Sequence, residues 1–231
     1  MASYCLLVGL GTHLVALYDA IATSSGQNLS ILNVASLVAW LITCVIGLSA
    51  ISQKQWFLLP LVTGFSAVVV LANLIVPHSA IMHIELHPTL LIHISLALFA
   101  YGSLCIAMLY ALQFAFINNR LKHKSSMLLH SSLPPLMEVE KHLFKLLVFG
   151  TSLLTLSLLT GFIFLDDMFA QRQVHKTVLS ILAWLVFVGT LVAHAKIGMR
   201  GKNVVIATFI GTGLLTLAYF GSRIVKEILL N

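Results

Sequence analysis

Residues 161–194 read GFIFLDDMFAQRQVHKTVLSILAWLVFVGTLVAH, and this stretch decides the fold. An apolar run leads into a short polar segment, and a second apolar run follows, with Trp184 in its middle and His194 near its end. Apolar runs of about 20 residues separated by short polar segments are typical of helices that cross a membrane. The stretch therefore predicts two membrane helices joined by a short loop.

The composition of the whole chain agrees with this interpretation. The 231 residues are 59% hydrophobic and 9% charged, with a mean hydropathy of +1.03. A soluble domain carries roughly 25% charged residues, so this chain has too little polar surface to cover a water-soluble globule. Segments of about ten residues with alternating polarity, which mark a membrane β-barrel, are absent from the sequence. The composition therefore predicts an integral membrane protein built from helices.

Seven apolar runs are long enough to cross a bilayer. They predict an all-α, polytopic transmembrane helical bundle of about seven helices (seven or eight), within a single integral membrane domain over 1–231. The first run lacks a basic leading region and a small-residue cleavage site, so we expect a retained helix rather than a signal peptide. The predicted spans are about 3–22, 31–52, 56–76, 89–117, 143–165, 177–196 and 203–223.

The distribution of Lys and Arg predicts the orientation. With the N-terminus in the cytoplasm, nine Lys or Arg residues fall on the inner side and four on the outer side, as the positive-inside rule requires. The largest polar connection, 118–142, is then a cytoplasmic loop. The formal net charge of +6 indicates topology and contact with anionic membrane lipids. No nucleic-acid motif accompanies it, and we expect a multi-pass protein of a bacterial inner membrane.

Histidines are the most numerous candidate ligands, since the chain has ten of them. Polar side chains are costly inside hydrocarbon, so a histidine in a span marks either a functional site or an interhelical hydrogen bond. Both readings stay open for His13, His93 and His194. A cluster in the outer loop PHSAIMHIELHP forms only a weak candidate metal site, because solvated side chains explain it as well: His78, His83 and His87.

Recognisable enzyme and zinc motifs are absent from the sequence. There is no GxSxG, P-loop or HExxH motif, and no span contains a pair of carboxylates. The three cysteines lie in apolar runs without CxxC spacing. The sequence therefore predicts neither an enzyme nor a dedicated metal centre.

Several motifs in order resemble CcsA/HemX-type cytochrome c assembly membrane proteins. LPPLMEVEKHLFKLLVFGTSLLTLSLLTGFIFL (133–165), HKTVLSILAWLVF (175–187) and LLIHISLALFAYG (90–102) are similar to segments of that superfamily. FLDDMFAQ, the MRGK turn and LAYFGSRIVKEIL are most similar to its short YpjD-type inner-membrane subgroup. The family's WGxxWxWD motif is replaced here, and the histidine that follows the family's last helix is missing.

The resemblance implies haem binding or haem handling linked to cytochrome c-type assembly, with haem b as the cofactor. Two alternative sites remain open: an outer site in which His93 pairs with His175, the latter replacing the missing ligand, or an inner site in which His194 pairs with His13. On the predicted boundaries the inner pair differs in depth by roughly 10 Å, which tilt could reduce. Trp184 is in register with a tryptophan in the similar segment of the family and is a further candidate contact of the cofactor.

Other functions remain open at this point. The protein could be a non-catalytic membrane scaffold or regulatory subunit without haem, in which the histidines only pack. A small-solute or metal-ion transporter component is a third possibility, although no span carries a pair of carboxylates that could line a path. Its partners would be membrane lipids and, for the first reading, haem and cytochrome-assembly proteins.

Overall fold

A computed structural model gives the fold. It describes residues 2–23, 26–53, 56–75, 81–82, 88–122, 134–164 and 174–221. These residues form seven α-helices. Helix α7 continues into a π-helical turn, Leu217–Gly221. The helices are α1 (Ala2–Ile21), α2 (Ile31–Gln53), α3 (Leu59–Ile75), α4 (Pro88–Lys122), α5 (Leu136–Phe164), α6 (Val174–Ile197) and α7 (Lys202–Thr216).

The predicted helical membrane architecture is confirmed. Six helices among the described residues are long and apolar enough to cross a membrane, and α3 is a shorter apolar helix of 17 residues. At 1.5 Å per residue, 17 residues extend roughly 25 Å, slightly less than a hydrocarbon core of about 30 Å. Apolar side chains on the outer faces of these helices, such as Leu74 and Ile163, are exposed, as a lipid-facing surface requires.

Two helices extend into the segment predicted as the 118–142 loop. Helix α4 continues to Lys122, and α5 begins at Leu136 with Glu138 in its first turn. Hydropathy places the start of α5 later because the segment LMEVEKH is amphipathic rather than apolar. An acidic side chain near the N-terminus of a helix is favourable, which suits Glu138 to this early start.

A short antiparallel ribbon adds a feature that the sequence did not predict. Strand β1 (Ala22–Thr23) pairs with β2 (Gly26–Asn28), and β2 pairs with β3 (Ile81–Met82). Gly26 has a φ of 127°, a backbone conformation that glycine adopts most readily. The ribbon is too short to change the helical fold class.

The chain forms two compact units, Met1–Leu91 and Ile92–Asn231, which we describe separately. In the first unit α1 and α3 pack on α2. A Cβ added at Gly47 of α2 would lie 2.9 Å from Leu6 of α1. In the second unit Phe187 of α6 is fully buried and packs directly on the backbone of Gly211 in α7. A single domain over the whole chain stays a prediction.

Candidate functional site

His93 is held against helix α5 in the second unit. Its Nδ1 lies 3.0 Å from the carbonyl oxygen of Ser157 and 3.2 Å from Oγ1 of Thr160. The Thr160 hydroxyl donates to the same Ser157 carbonyl at 2.9 Å. A carbonyl oxygen only accepts, so Nδ1 carries the proton and Nε2 of the neutral ring carries a lone pair. Nε2 makes no hydrogen bond to the described residues.

His194, near the end of α6, has the same arrangement. Its Nδ1–H donates to the carbonyl oxygen of Met199 at 2.9 Å, which again leaves the Nε2 lone pair available. One face of the ring stacks on Phe144 of α5, with the ring centroids 3.6 Å apart and the planes at 22°. The backbone partner and the aromatic ring together fix the orientation of this imidazole.

A salt bridge anchors the segment that supplies the Met199 carbonyl. Arg200 donates from Nε and Nη2 to the two carboxylate oxygens of Glu140 on α5, at 3.1 and 2.7 Å. These hydrogen bonds and the carboxylate charge raise the pKa of the guanidinium. Gly198 and Gly201 flank the segment with φ values of 65° and 69°, which end α6 and precede α7. Glu140 is buried, whereas the Arg200 side chain is 53% exposed.

His194 and Phe144 line a groove of about 970 Å³ between α5 and α6. Most of its wall is apolar, and its basic side chains are Lys141, Lys145 and Arg200. A largely apolar cleft of this size with a few polar groups is the usual form of a cofactor or ligand site. The remaining lining residues are Met137, Glu138, Glu140, Val148, Phe149, Ser152, Leu191 and Ala195.

His13, in the first unit, is bonded at both ring nitrogens. Nε2 lies 2.9 Å from Oγ of Ser36 on α2, and Nδ1 lies 3.2 Å from Oγ of Ser66 on α3. A neutral imidazole donates from one nitrogen and accepts at the other, and serine hydroxyls can complete both bonds. These two bonds support the interpretation of His13 as a residue that forms interhelical hydrogen bonds.

His175 and Trp184, the remaining two candidate cofactor contacts, also lie on α6. His175 is exposed in the first turn of the helix. Trp184 donates its indole N–H to Oγ1 of Thr155 on α5 at 2.8 Å, and the Thr155 hydroxyl donates to the carbonyl of Thr151. This bond joins α5 to α6, and a contact between Trp184 and a cofactor stays a prediction.

Both predicted histidine pairs also stay predictions. His93 and His175 belong to the same unit, and His13 and His194 belong to different units. The weak outer cluster His78, His83 and His87 lies outside the described residues. Within the described ranges, no group of three or more His, Cys, Asp or Glu side chains could hold a metal ion.

Sequence reasoning missed several residues that the fold brings to this region. Glu140 and Arg200 are 60 positions apart, and Phe144 has no local motif that marks it. His142 was also missed: it stacks on Tyr110 at 5.6 Å, and its Nδ1 is buried without a hydrogen bond to the described part of the chain. The one available signal was the acidic and basic pattern of LMEVEKHLF, next to an apolar span.

Comparisons with known proteins give a family. Residues 1–230 match the family described as Cytochrome C assembly protein. The chain is 41% identical over 231 residues to the inner membrane protein YpjD of Escherichia coli strain K12, covering 99% of this chain and 88% of the relative. It is 35% identical over 143 residues, 61% of this chain and 52% of the relative, to an uncharacterized 28.8 kDa protein of Azospirillum brasilense. No solved structure gives a significant match. The prediction of a multi-pass inner-membrane protein agrees with the first relative and with the six long apolar helices.

Proposed function

The chain belongs to the cytochrome c assembly protein family, and from this membership we propose that it is a haem-handling membrane protein that binds haem b in its second unit. Membrane lipids surround its apolar helices. Haem and other cytochrome-assembly proteins are its proposed partners.

The observation that carries the proposal is the shared arrangement of His93 and His194. Each donates Nδ1–H to a backbone carbonyl and presents an Nε2 that bonds to none of the residues that the structure describes. Histidines that ligate metals typically donate their other N–H to a carbonyl or carboxylate, because this fixes the tautomer and strengthens the ligating nitrogen. Imidazole nitrogen is also a common axial ligand of haem iron, so the two residues fit the cofactor. His13 lacks this arrangement, since both its nitrogens have serine partners.

The groove beside His194 supports this residue as the principal ligand. Its volume of about 970 Å³ is at the upper end of typical ligand sites, and its apolar wall suits a flat macrocycle. Lys141 and Lys145 would pair with the propionate groups of haem, because carboxylates in a partly apolar site need cationic partners, whereas Arg200 is already paired with Glu140. Bound haem would supply a redox-active iron.

His93 and His194 would serve separate haem sites. They contact α5 at positions thirteen residues apart, Ser157 and Phe144, which is roughly 20 Å along a helix. Two axial ligands must approach one iron from opposite sides, so this separation prevents these two histidines from sharing it. We therefore keep His175 as the proposed partner of His93 in the second site, on the predicted outer side.

Glu140 would act as a positioning residue for the His194 site. Its carboxylate holds Arg200, and the preceding residue, Met199, supplies the carbonyl that accepts the His194 proton. Glu140 and Phe144 are four residues apart on α5 and therefore lie on one face of this helix. Phe144 sets the plane of the His194 ring, and Glu140, through Arg200, sets the position of the Nδ1 proton of His194.

An absorption spectrum of the purified protein tests the proposal. The protein is measured oxidised and dithionite-reduced, with a pyridine haemochrome assay for stoichiometry. The expected result is a Soret band with sharp reduced α and β bands, lost or halved in His194→Ala and retained in Lys196→Ala. A colourless wild-type protein, even after expression with a haem precursor, would contradict the haem proposal and favour the scaffold function.

A further inference from the structure

The first unit contains a pocket that the haem proposal does not use. It has a volume of about 240 Å³ and lies among α1, β2, α2 and α3. Since one water occupies about 30 Å³ of liquid, the space corresponds to about eight waters or one substituted six-membered ring. A porphyrin is far larger than this. The lining residues are His13, Ala16, Leu17, Ala20, Asn28, Asn33, Ser36, Val70, Asn73 and Leu74.

The lining combines apolar side chains with neutral polar ones and carries no acidic or basic residue apart from the histidine. An ion that enters such a pocket loses its hydration without gaining an opposite charge, which is costly inside a membrane. A neutral molecule that forms hydrogen bonds fits the lining better. The pocket therefore selects against metal ions and charged solutes.

The amide of Asn73 offers hydrogen-bonding capacity to such a molecule. Asn33 is fully engaged, since its Nδ2 donates to the carbonyls of Ala20 and Asn28 and its Oδ1 accepts from Asn73 at 2.7 Å. After that bond, Asn73 retains a second N–H and its carbonyl oxygen, neither of which bonds to the described residues. The buried amide of Asn33 thus holds the amide of Asn73, which keeps one N–H donor and its carbonyl acceptor for a ligand.

Two residues of the pocket wall are exposed, which indicates how a ligand would reach it. Ala16 of α1 and Leu74 of α3 belong to its wall, and both are exposed on apolar helix faces, Leu74 to 75%. Exposed apolar helix faces of a membrane protein contact lipid tails. A ligand that arrives between these two residues therefore comes from the bilayer.

We propose that this pocket binds the head of a lipid-soluble quinone or quinol. A quinone head is a neutral six-membered ring of suitable size, with two opposite oxygens that accept hydrogen bonds, or donate them in the quinol form. One oxygen would bond to Asn73 and the other to the Ser36 hydroxyl, which His13 orients at 2.9 Å. The isoprenoid tail would leave between Ala16 and Leu74 into the lipid. This inference does not depend on the haem proposal.

Photolabelling of the full-length protein in lipid nanodiscs tests the inference. The probe is a short-tailed azido-ubiquinone, and the competitor is a ubiquinone with a single isoprene unit. The expected result is labelling of peptides from α1 to α3 that excess competitor removes. Ala16→Phe fills the opening and should reduce the competed labelling about tenfold, whereas the matched variant Leu14→Phe, outside the pocket on the same helix, should stay within about twofold.

A second pair of variants tests the proposed hydrogen bond between Asn73 and the ligand. Asn73→Leu should reduce the competed labelling about tenfold, because it would leave a ligand oxygen buried without a hydrogen-bond partner. Thr63→Val, on the same helix, should leave it unchanged, since Thr63 bonds only to its own helix backbone. Labelling that competitor does not remove, or equal labelling in Ala16→Phe and Leu14→Phe, would overturn the inference.

Discussion

The rings of His194 and Phe144 stack with their centroids 3.6 Å apart and their planes at 22°. This contact joins the end of α6 to the first half of α5, and because the Nε2 lone pair lies in the plane of the imidazole, the stacked ring does not cover it. Together with the bond from Nδ1 to Met199, it leaves the imidazole one orientation and one tautomer. A ligand prepared in this way loses little conformational entropy when it binds iron.

Replacing Phe144 should therefore weaken haem binding without removing the ligand. An aromatic stack contributes about 0.5–1.5 kcal/mol beyond area burial, so Phe144→Leu should lower haem affinity roughly two- to tenfold. Spectral titration of the haem-free protein measures this. Phe149→Leu is the matched control, because Phe149 lines the same groove without stacking on His194. Equal losses in the two variants would show that the stack has no special role.

Glu140→Gln should alter His194 even before haem is added. Without the carboxylate charge, Arg200 is held less firmly, and the Met199 carbonyl is no longer fixed against Nδ1–H. We expect a mixture of His194 tautomers in ¹⁵N NMR of histidine-labelled, haem-free protein, and a several-fold lower haem affinity. The matched control is Glu138→Gln, which changes a neighbouring exposed carboxylate. A single unchanged tautomer in Glu140→Gln would remove the positioning role and leave the haem proposal standing.

The salt bridge should be insensitive to mildly alkaline pH. The hydrogen bonds to Glu140 and the charge of its carboxylate raise the pKa of the Arg200 guanidinium above its ordinary value. A raised folded-state pKa adds stability that is fully present below the unfolded-state pKa and is lost only as the pH rises through the folded-state pKa. The Tm difference between wild type and Arg200→Gln should thus stay constant from about pH 7 to about pH 9, where arginine remains charged. A Tm difference that disappears between these pH values would contradict the salt bridge between Arg200 and Glu140.

The bond between Trp184 and Thr155 should stabilise the contact between α5 and α6. Interhelical hydrogen bonds in membranes contribute on average about 0.6 kcal/mol, so Thr155→Val should lower stability by about that amount. Trp184→Phe should cost somewhat more, because it also removes ring area. The double variant should show that the two effects are not additive, as judged by unfolding in mixed detergent. A Soret shift in Trp184→Phe that is absent in Thr155→Val would assign the indole to the haem.

Gly211 and Gly213 form a matched pair for the packing of α7. A Cβ at Gly211 would lie 2.6 Å from the buried ring of Phe187, whereas a Cβ at Gly213 would meet nothing within 4 Å. Gly211→Ala should destabilise the protein by about 1–3 kcal/mol through overpacking. Gly213→Ala should be neutral or stabilise by up to about 1 kcal/mol, because alanine favours the helix. The reverse order of Tm values would contradict this packing.

The apolar runs of the sequence predicted the helices because membrane spans need a fixed apolar length, whatever their neighbours are. Hydropathy placed the start of this span later than the start of α5 because the first turns of the helix are amphipathic, and the β ribbon was missed because strands of two or three residues leave no periodic signal. Hydropathy therefore predicted what depends on the bilayer, and it could not predict what depends on local pairing.

The same distinction applies to the candidate site. His93 and His194 could be selected from the sequence because histidine is rare and costly in a span. Their Nδ1 partners could not, since these are backbone carbonyls, which every residue carries. The pairs Glu140–Arg200 and Asn33–Asn73 were also missed, because partners 60 and 40 positions apart leave no local pattern.

Chemical rescue of a His194→Gly variant tests the central claim most directly, namely that Nε2 of His194 ligates haem iron. The variant removes the ligand and leaves space for free imidazole, and bound haem per protein is measured by pyridine haemochrome with and without imidazole. We predict that the variant loses the haem held by the His194 site, which is all or half of the total, and that imidazole restores most of this share, with a Soret band at the wild-type position. Haem retained in full by His194→Gly without imidazole, with an unchanged spectrum, would contradict the claim.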